Sequence, residues 1–214
     1  MGKTINIEKE QDQKVDQPFV IGISGACGSG KTWFANKLRE EIVKPVCIFA
    51  LDCYSKDKDF VNELEYHYDN PLAIDYDKAY IDLSKLIQGE TISLPIYDYV
   101  SHRVISEKFF TSPSVIIIEG LYSFYDERFL DAMNFKIWIE TDNKTCLERR
   151  VKRDVGERGE TMEDSMFRHI NDSEPAFREF YAKGRKCSDC IYDNSKRDKI
   201  PFLVTILKKY VENK

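Results

Sequence analysis

The sequence predicts an α/β fold, a parallel sheet with helices on both faces, and three observations carry that prediction. Short apolar runs alternate with stretches of helical periodicity along most of the 214 residues, the order of elements that builds a parallel sheet. One run, Val115-Ile116-Ile117-Ile118, is β-branched throughout, as in a central strand covered on both faces. A glycine-rich segment, Gly25 to Thr32, lies between a strand pattern and a helix pattern, where open α/β sheets turn toward their ligands.

The elements follow in order. Phe19–Ser24 reads as a buried strand, and Lys31–Val43 as a helix with Trp33, Phe34, Leu38 and Ile42 spaced for one face. Val46–Ala50, Val115–Ile118 and Phe135–Glu140 read as further strands. Asn143–Val155 suits a helix capped by Asp142 or Thr141. Thr161–Tyr181 reads as mainly helical, with a bend at Ser173 to Pro175. Asp189–Tyr192 reads as a last strand, and Ile200–Val211 as a closing helix with Pro201 in its first turn. The stretch from Tyr54 to Thr111 departs from this rhythm. Within it, Thr91–Ile96 and Val104–Thr111 look extended around a polar turn, which predicts a β-hairpin beside the sheet, placed to cover a substrate. Met1 to Gln17 is polar and mixed in charge, without the apolar stretch of a signal peptide, and reads as a flexible tail. Residues 18–214 then form one domain.

Composition narrows the partners. A net charge of −5 supplies no basic field for nucleic acid. No apolar run approaches the roughly 20 residues of a membrane span. Of the cysteines at 27, 47, 53, 146, 187 and 190, only Cys187 and Cys190 make a CxxC pair, without a second pair or a nearby histidine to complete a zinc site. Free thiols in a reducing cytoplasm are the expectation.

Gly25-Ala26-Cys27-Gly28-Ser29-Gly30-Lys31-Thr32 matches GxxxxGK[ST]. Its glycines let the backbone curl so that N–H groups converge on phosphate oxygens, and the helix that follows adds its N-terminal dipole. Gly25, Gly28, Ser29, Gly30, Lys31 and Thr32 are therefore the expected nucleotide-binding residues. Lys31 should neutralise the β- and γ-phosphates, and the Thr32 hydroxyl should ligate Mg²⁺. The expected donor is ATP.

Two carboxylates fall at expected strand ends. Asp52 follows the second strand and Glu119 ends the Val115–Ile118 strand. Read alone, Asp52 is a turn or cap residue. Beside a phosphate loop it suits the group that holds an acceptor hydroxyl's proton, and with Glu119 it is a candidate Mg²⁺ ligand. Arg149, Arg150, Arg153 and Arg158 cluster before Gly159. Arg153 and Arg158 suit a lid that brings positive charge to the triphosphate, whereas Arg149 reads as ordinary surface charge.

These residues resemble the uridine kinase (uridine–cytidine kinase) family of P-loop nucleoside kinases. The resemblance rests on Ser24–Thr32, Asp52-Cys53-Tyr54-Ser55-Lys56-Asp57, Tyr68-Asp69-Asn70-Pro71, Pro95-Ile96-Tyr97-Asp98-Tyr99-Val100-Ser101-His102, Glu119-Gly120, and Arg149 to Asp154 through Glu157-Arg158-Gly159. It implies a P-loop kinase fold with a five-stranded parallel sheet and a β-hairpin over the nucleoside. It also implies γ-phosphoryl transfer to the 5′-hydroxyl of uridine or cytidine, and a homo-oligomer. Asp52 would be the catalytic carboxylate. Asp69 and Arg150 would hold the ribose hydroxyls, Tyr97 and His102 would face the pyrimidine edge, and Tyr99 would stack nearby. Thr32 and Glu119 would serve Mg²⁺, with Arg153 and Arg158 in the lid.

The chain departs from that pattern at Glu160, where the family usually has arginine, and at Arg168, where it usually has glutamine; Asn70 and Leu72 also differ from the usual His and Asp. Either Glu160 and Arg168 pair and rebuild the pocket, or the acceptor is another ribosyl or hydroxyl-bearing small metabolite, since mismatched hydrogen-bonding groups lose affinity steeply. A nucleotide-binding protein without catalysis is the remaining reading.

Overall fold

The computed structural model describes residues 17–56, 69–111, 113–195 and 200–212. The predicted tail lies outside the described residues except for Gln17, and so do Asp57 and Tyr68 of the motif blocks.

Five strands form one parallel sheet: β1 (Phe19–Gly25), β2 (Val46–Ala50), β5 (Val115–Glu119), β6 (Phe135–Glu140) and β7 (Cys190–Asp193), in the order β2-β5-β1-β6-β7. β1 is central, with Ile21 opposite Ile117 on one side and Phe135 on the other. Side chains alternate between faces along each strand, so one strand supplies two cores. Ile21, Ile23, Ile117, Ile137 and Ile139 pack with Phe34 and Leu38 of α1 (Lys31–Glu41) and with Val204 and Leu207 of α7 (Ile200–Glu212). Val20, Phe49, Ile116, Ile118 and Trp138 point the other way, toward Leu83 and Leu86 of α2 (Tyr76–Ile87) and Phe129 of α3 (Glu127–Ala132). The continuous apolar reading of the strands thus has its cause in helices on both faces. Among the described residues, no helix is long and apolar enough to cross a membrane.

α2 lies inside the stretch that departs from the sequence rhythm, and its helical pattern went unread there. Asp75 caps it by accepting from Lys78 N at 3.0 Å, while Ala79, Leu83 and Leu86 form its buried face. The six-residue α3, capped by Asp126, is too short for periodicity to announce it. Where a bend is expected, at Ser173 to Pro175, the helical stretch passes through a π-turn that reaches Ser173. α5 (Met162–Arg168) ends in a π-turn, His169–Ser173, and α6 (Glu174–Lys186) starts after it. Pro175 sits in the first turn of α6, where its missing N–H costs nothing. The first helix stops at Glu41, since Ile42 is already extended.

The hairpin forms as expected, with β3 (Ile92–Asp98) antiparallel to β4 (Arg103–Phe110) and a register irregularity between Ile96 and Tyr97. Ile92 and Leu94 anchor it in the core, whereas β4 is exposed along nearly its whole length. His102, at the tip, holds a left-handed φ of 54°, a conformation that is uncommon outside glycine and recurs at binding sites.

Candidate active site

The phosphate loop joins β1 to α1. Gly28 and Gly30 have φ of 79° and 96°. A Cβ at Gly28 would lie 2.2 Å from the Cys146 carbonyl oxygen, and one at Gly30 2.3 Å from Asn194 Nδ2, so conformation and space both require glycine there. The Lys31 ammonium donates to the carbonyls of Gly25 and Ala26, at 3.0 Å each. The Ser29 carbonyl accepts from Asn194 Nδ2 (2.7 Å), Thr141 Oγ1 (3.1 Å) and Arg149 Nη1 (3.4 Å). Arg149 is therefore not ordinary surface charge: it braces the loop and also donates to Asn194 O at 3.1 Å. Thr141, read in the sequence only as an alternative helix cap, and Asn194, which carries no sequence reading, lie immediately after β6 and β7. Their position at strand ends was the available signal.

The strand order places the ends of β2, β5 and β1 side by side, and the expected carboxylates gather there. Thr32 Oγ1 donates to Glu119 Oε1 at 3.1 Å, and Glu119 Oε2 is buried with no hydrogen-bond partner among the described residues. Asp52 lies in the 3₁₀ turn Leu51–Tyr54, with its Oδ1 so close to Gly120 that a Cβ there would come within 3.1 Å. Burial pushes the Glu119 carboxyl up to about 7. The Asp52 charge adds to this, while Lys31 and the Thr32 hydrogen bond oppose it. Lys31, Thr32, Asp52 and Glu119 thus belong to one electrostatic cluster.

That cluster fits Mg²⁺. Its donors are hard oxygens, one of them an orphaned carboxylate oxygen, and Mg²⁺ usually takes one or two carboxylates and completes its shell with waters and phosphates. Among the described residues no group of three or more His, Cys, Asp and Glu forms a ready-made metal cage. One prediction concerns pH. A carboxyl whose folded pKa is raised binds more protons folded than unfolded, so its contribution to stability falls as pH rises from about 4.5 to about 7. Glu119→Gln should flatten that fall in metal-free thermal melts across this window. An unchanged slope would show that Glu119 does not carry it.

The hairpin reaches over the same region. Tyr97 OH lies 3.5 Å from His102 Nδ1, and the rings of Tyr97 and Tyr99 are 5.2 Å apart. The Tyr99 hydroxyl is pushed upward by burial, with the charges of Asp52 and Glu119 contributing. The Cys53 thiol is pushed up to about 11 by burial, partly offset by a hydrogen bond from the Tyr97 backbone. The hairpin tip therefore sits on the turn that carries Asp52. From the other side, the Arg158 guanidinium stacks 4.1 Å from the centre of the Tyr99 ring, which ties the end of α4 (Asn143–Glu157) to the hairpin.

Arg150, buried on α4, donates to Asp69 Oδ2 at 2.9 Å, and the Ser173 hydroxyl bridges the two residues. Burial alone would raise the Asp69 carboxyl, but Arg150 and the Ser173 hydrogen bond outweigh it and hold Asp69 below the usual carboxylate range. The Tyr122 hydroxyl fixes the Asp69 backbone carbonyl. Arg153 and Arg158 both rest on Asp154, and Arg153 also points at Cys27 Sγ of the phosphate loop, 3.7 Å away. Glu160 and Arg168 meet at 2.7 Å. The candidate residues are thus assembled around the strand ends; of the residues that organise them, Asp154 belongs to a motif block without a role assigned to it, and Ser173 and Tyr122 belong to none.

Comparison with known proteins identifies the family. Residues 20–201 match the model of the phosphoribulokinase / uridine kinase family. Uridine kinase of Escherichia coli K12 is 34% identical over 201 residues, covering 90% of this chain and 93% of that protein. Two solved structures share the fold. One is described as a possible uridine kinase from Bacillus stearothermophilus (TM-score 0.60, 21% identity, 85% of this chain and 92% of that one). The other is phosphoribulokinase from Rhodobacter spheroides (TM-score 0.61, 13% identity, 83% and 70%). A family match along most of the chain, a phosphate loop braced from three elements and carboxylates at the neighbouring strand ends lead to one conclusion: the chain belongs to the phosphoribulokinase / uridine kinase family and is a small-molecule kinase.

Proposed function

We propose that the protein transfers the γ-phosphoryl group of ATP to the 5′-hydroxyl of a pyrimidine ribonucleoside, uridine or cytidine. The observation that carries this reading is the convergence of Asp52, Lys31, Thr32 and Glu119 at adjoining strand ends, beneath a hairpin that presents Tyr97, Tyr99 and His102. The backbone of Gly25 to Gly30 cradles the phosphates. Lys31 leaves the carbonyls of Gly25 and Ala26 for the β- and γ-phosphate oxygens. Thr32 and Glu119, with Asp52 nearby, would hold Mg²⁺, which would supply charge neutralisation to the triphosphate. Asp52 orients the acceptor hydroxyl and takes its proton. Asp69 and Arg150 grip the ribose hydroxyls, Tyr97 and His102 meet the base edge, and Tyr99 packs against it. Arg153 and Arg158 offset the charge that develops on the transferring group. Positioning and electrostatics supply most of the acceleration in such reactions.

The Glu160–Arg168 contact is the pairing that would rebuild the pocket for the same acceptor, whereas the departure of both residues from the family pattern motivates a second reading with the same donor chemistry. In it, the acceptor is another ribosyl or hydroxyl-bearing small metabolite. Acceptor-dependent ADP release over a panel of nucleosides, sugar phosphates and vitamin precursors separates the two. Strong turnover of uridine or cytidine establishes the first. Turnover only of another acceptor establishes the second. ATP binding with no acceptor-dependent ADP from any member overturns both.

A further inference from the structure

Asp154 occupies an unusual position. Its side chain is 1% exposed, and it touches three arginines assigned to two different substrates. Its two oxygens divide the work. Oδ1 accepts from Arg153 Nε and Nη2, at 2.9 and 2.8 Å, and pairs with Arg158 Nη1 at 3.3 Å. Oδ2 accepts from Arg150 Nε at 3.2 Å and from the Ser165 hydroxyl at 3.0 Å. One carboxylate thus serves the donor-side arginines through one oxygen and the acceptor-side arginine through the other.

A single negative charge cannot neutralise three guanidiniums, so the arginines compete for it. We infer that Asp154 is a positioning residue that couples the donor and acceptor sites by sharing its charge between Arg150 and the pair Arg153 and Arg158. The inference rests on the assignment of Arg150 to the acceptor and of the other two arginines to the triphosphate. A bound triphosphate draws Arg153 and Arg158 off Oδ1. The charge of Asp154 then falls to Arg150 alone, which is held between Asp154 and Asp69 and stiffened for the acceptor. Asp154 consequently opposes donor binding, because the triphosphate must win two guanidiniums from it, and converts that opposition into acceptor affinity. Such coupling is reciprocal between the two ligands. Ser165 moderates it, since its hydroxyl disperses charge that the arginines would otherwise receive.

The test measures binding of a non-hydrolysable ATP analogue with Mg²⁺, alone and with saturating uridine, by calorimetry. In the wild type, each ligand should tighten the other about tenfold, within the usual span of coupling energies. Asp154→Asn keeps the shape and removes the charge. It should bind the analogue more tightly, by about threefold or more, while coupling falls to near onefold. Ser165→Ala should act with the opposite sign and weaken the analogue about twofold, because the carboxylate then holds its arginines harder. A carboxylate that merely stabilises the fold predicts weaker binding of both ligands in both variants. Either weaker analogue binding or full coupling in Asp154→Asn overturns the inference. If that variant does not fold, Ser165→Ala decides: weaker analogue binding with uridine binding retained supports the inference, and weaker binding of both ligands, or unchanged or tighter analogue binding, overturns it. If wild-type protein binds the analogue but not uridine, the assigned acceptor is wrong. The analogue affinities of the two variants then judge Asp154 on their own.

Discussion

Asp52→Asn is expected to lower acceptor-dependent turnover by about 10³-fold while ATP affinity stays within a few-fold of the parent. Removing a group that takes a proton in the transition state costs about 10²–10⁴ in rate. The amide is nearly isosteric but cannot accept that proton, and the phosphate loop and its three braces on the Ser29 carbonyl do not involve Asp52. The fold should tolerate the change. Asp52 packs beside Gly120 and adds to the burial that raises the neighbouring Glu119 carboxyl, so removing its charge relieves repulsion, and Glu119 should titrate lower in the variant. Steady-state ADP release and nucleotide titration check the two halves separately. Near-parental turnover would remove Asp52 from the chemistry, whereas loss of ATP binding would place it on the donor side.

Arg150→Ala is expected to affect both stability and function. Arg150 is buried between Asp69 and Asp154, at 2.9 and 3.2 Å. Deleting one partner of a buried ion pair costs about 3–5 kcal/mol, because the remaining charge stays buried without compensation. Asp154 keeps Arg153 and Arg158, so Asp69 loses more. The pH dependence follows from the sign of the shifts. Burial would raise the Asp69 and Asp154 carboxyls, but their arginines outweigh it and hold both below the ordinary range. Groups depressed in the folded state contribute stability above the unfolded pKa of about 3.9 and lose it as pH falls through the folded value. The gap in stability between parent and variant should thus be open at neutral pH and narrow below about pH 4. In kinetics, the acceptor KM should rise more than about tenfold, as expected for a lost charged hydrogen bond, with a smaller change in the KM for ATP. Denaturant melts at two pH values and acceptor kinetics read these out. An unaltered acceptor KM in a folded variant would remove Arg150 from the acceptor site.

Periodicity and motif spacing determined much of this protein. The alternation of strands and helices, the boundaries of Val46–Ala50 and Phe135–Glu140, the phosphate loop, and Asp52 and Glu119 at strand ends were all legible, because each is a local pattern in consecutive residues. α2 escaped because the irregular stretch around it masks its period, and α3 because six residues make fewer than two turns. Other features exist only in the folded chain. Arg149 reads as surface charge in sequence, yet in space it supports the loop more than a hundred residues earlier. Asp154 stands four residues from both Arg150 and Arg158, a spacing that reads as a solvated helix-face pair, yet α4 and α5 enclose it and turn it into a buried counter-ion for three arginines. Ser173 gains its place between Asp69 and Arg150 from a π-turn that no residue type announces. The physical reason is common to all three. A motif specifies which groups do the chemistry, whereas the burial that makes their partners matter is set by the three-dimensional enclosure of charge, which spacing along the chain does not reveal.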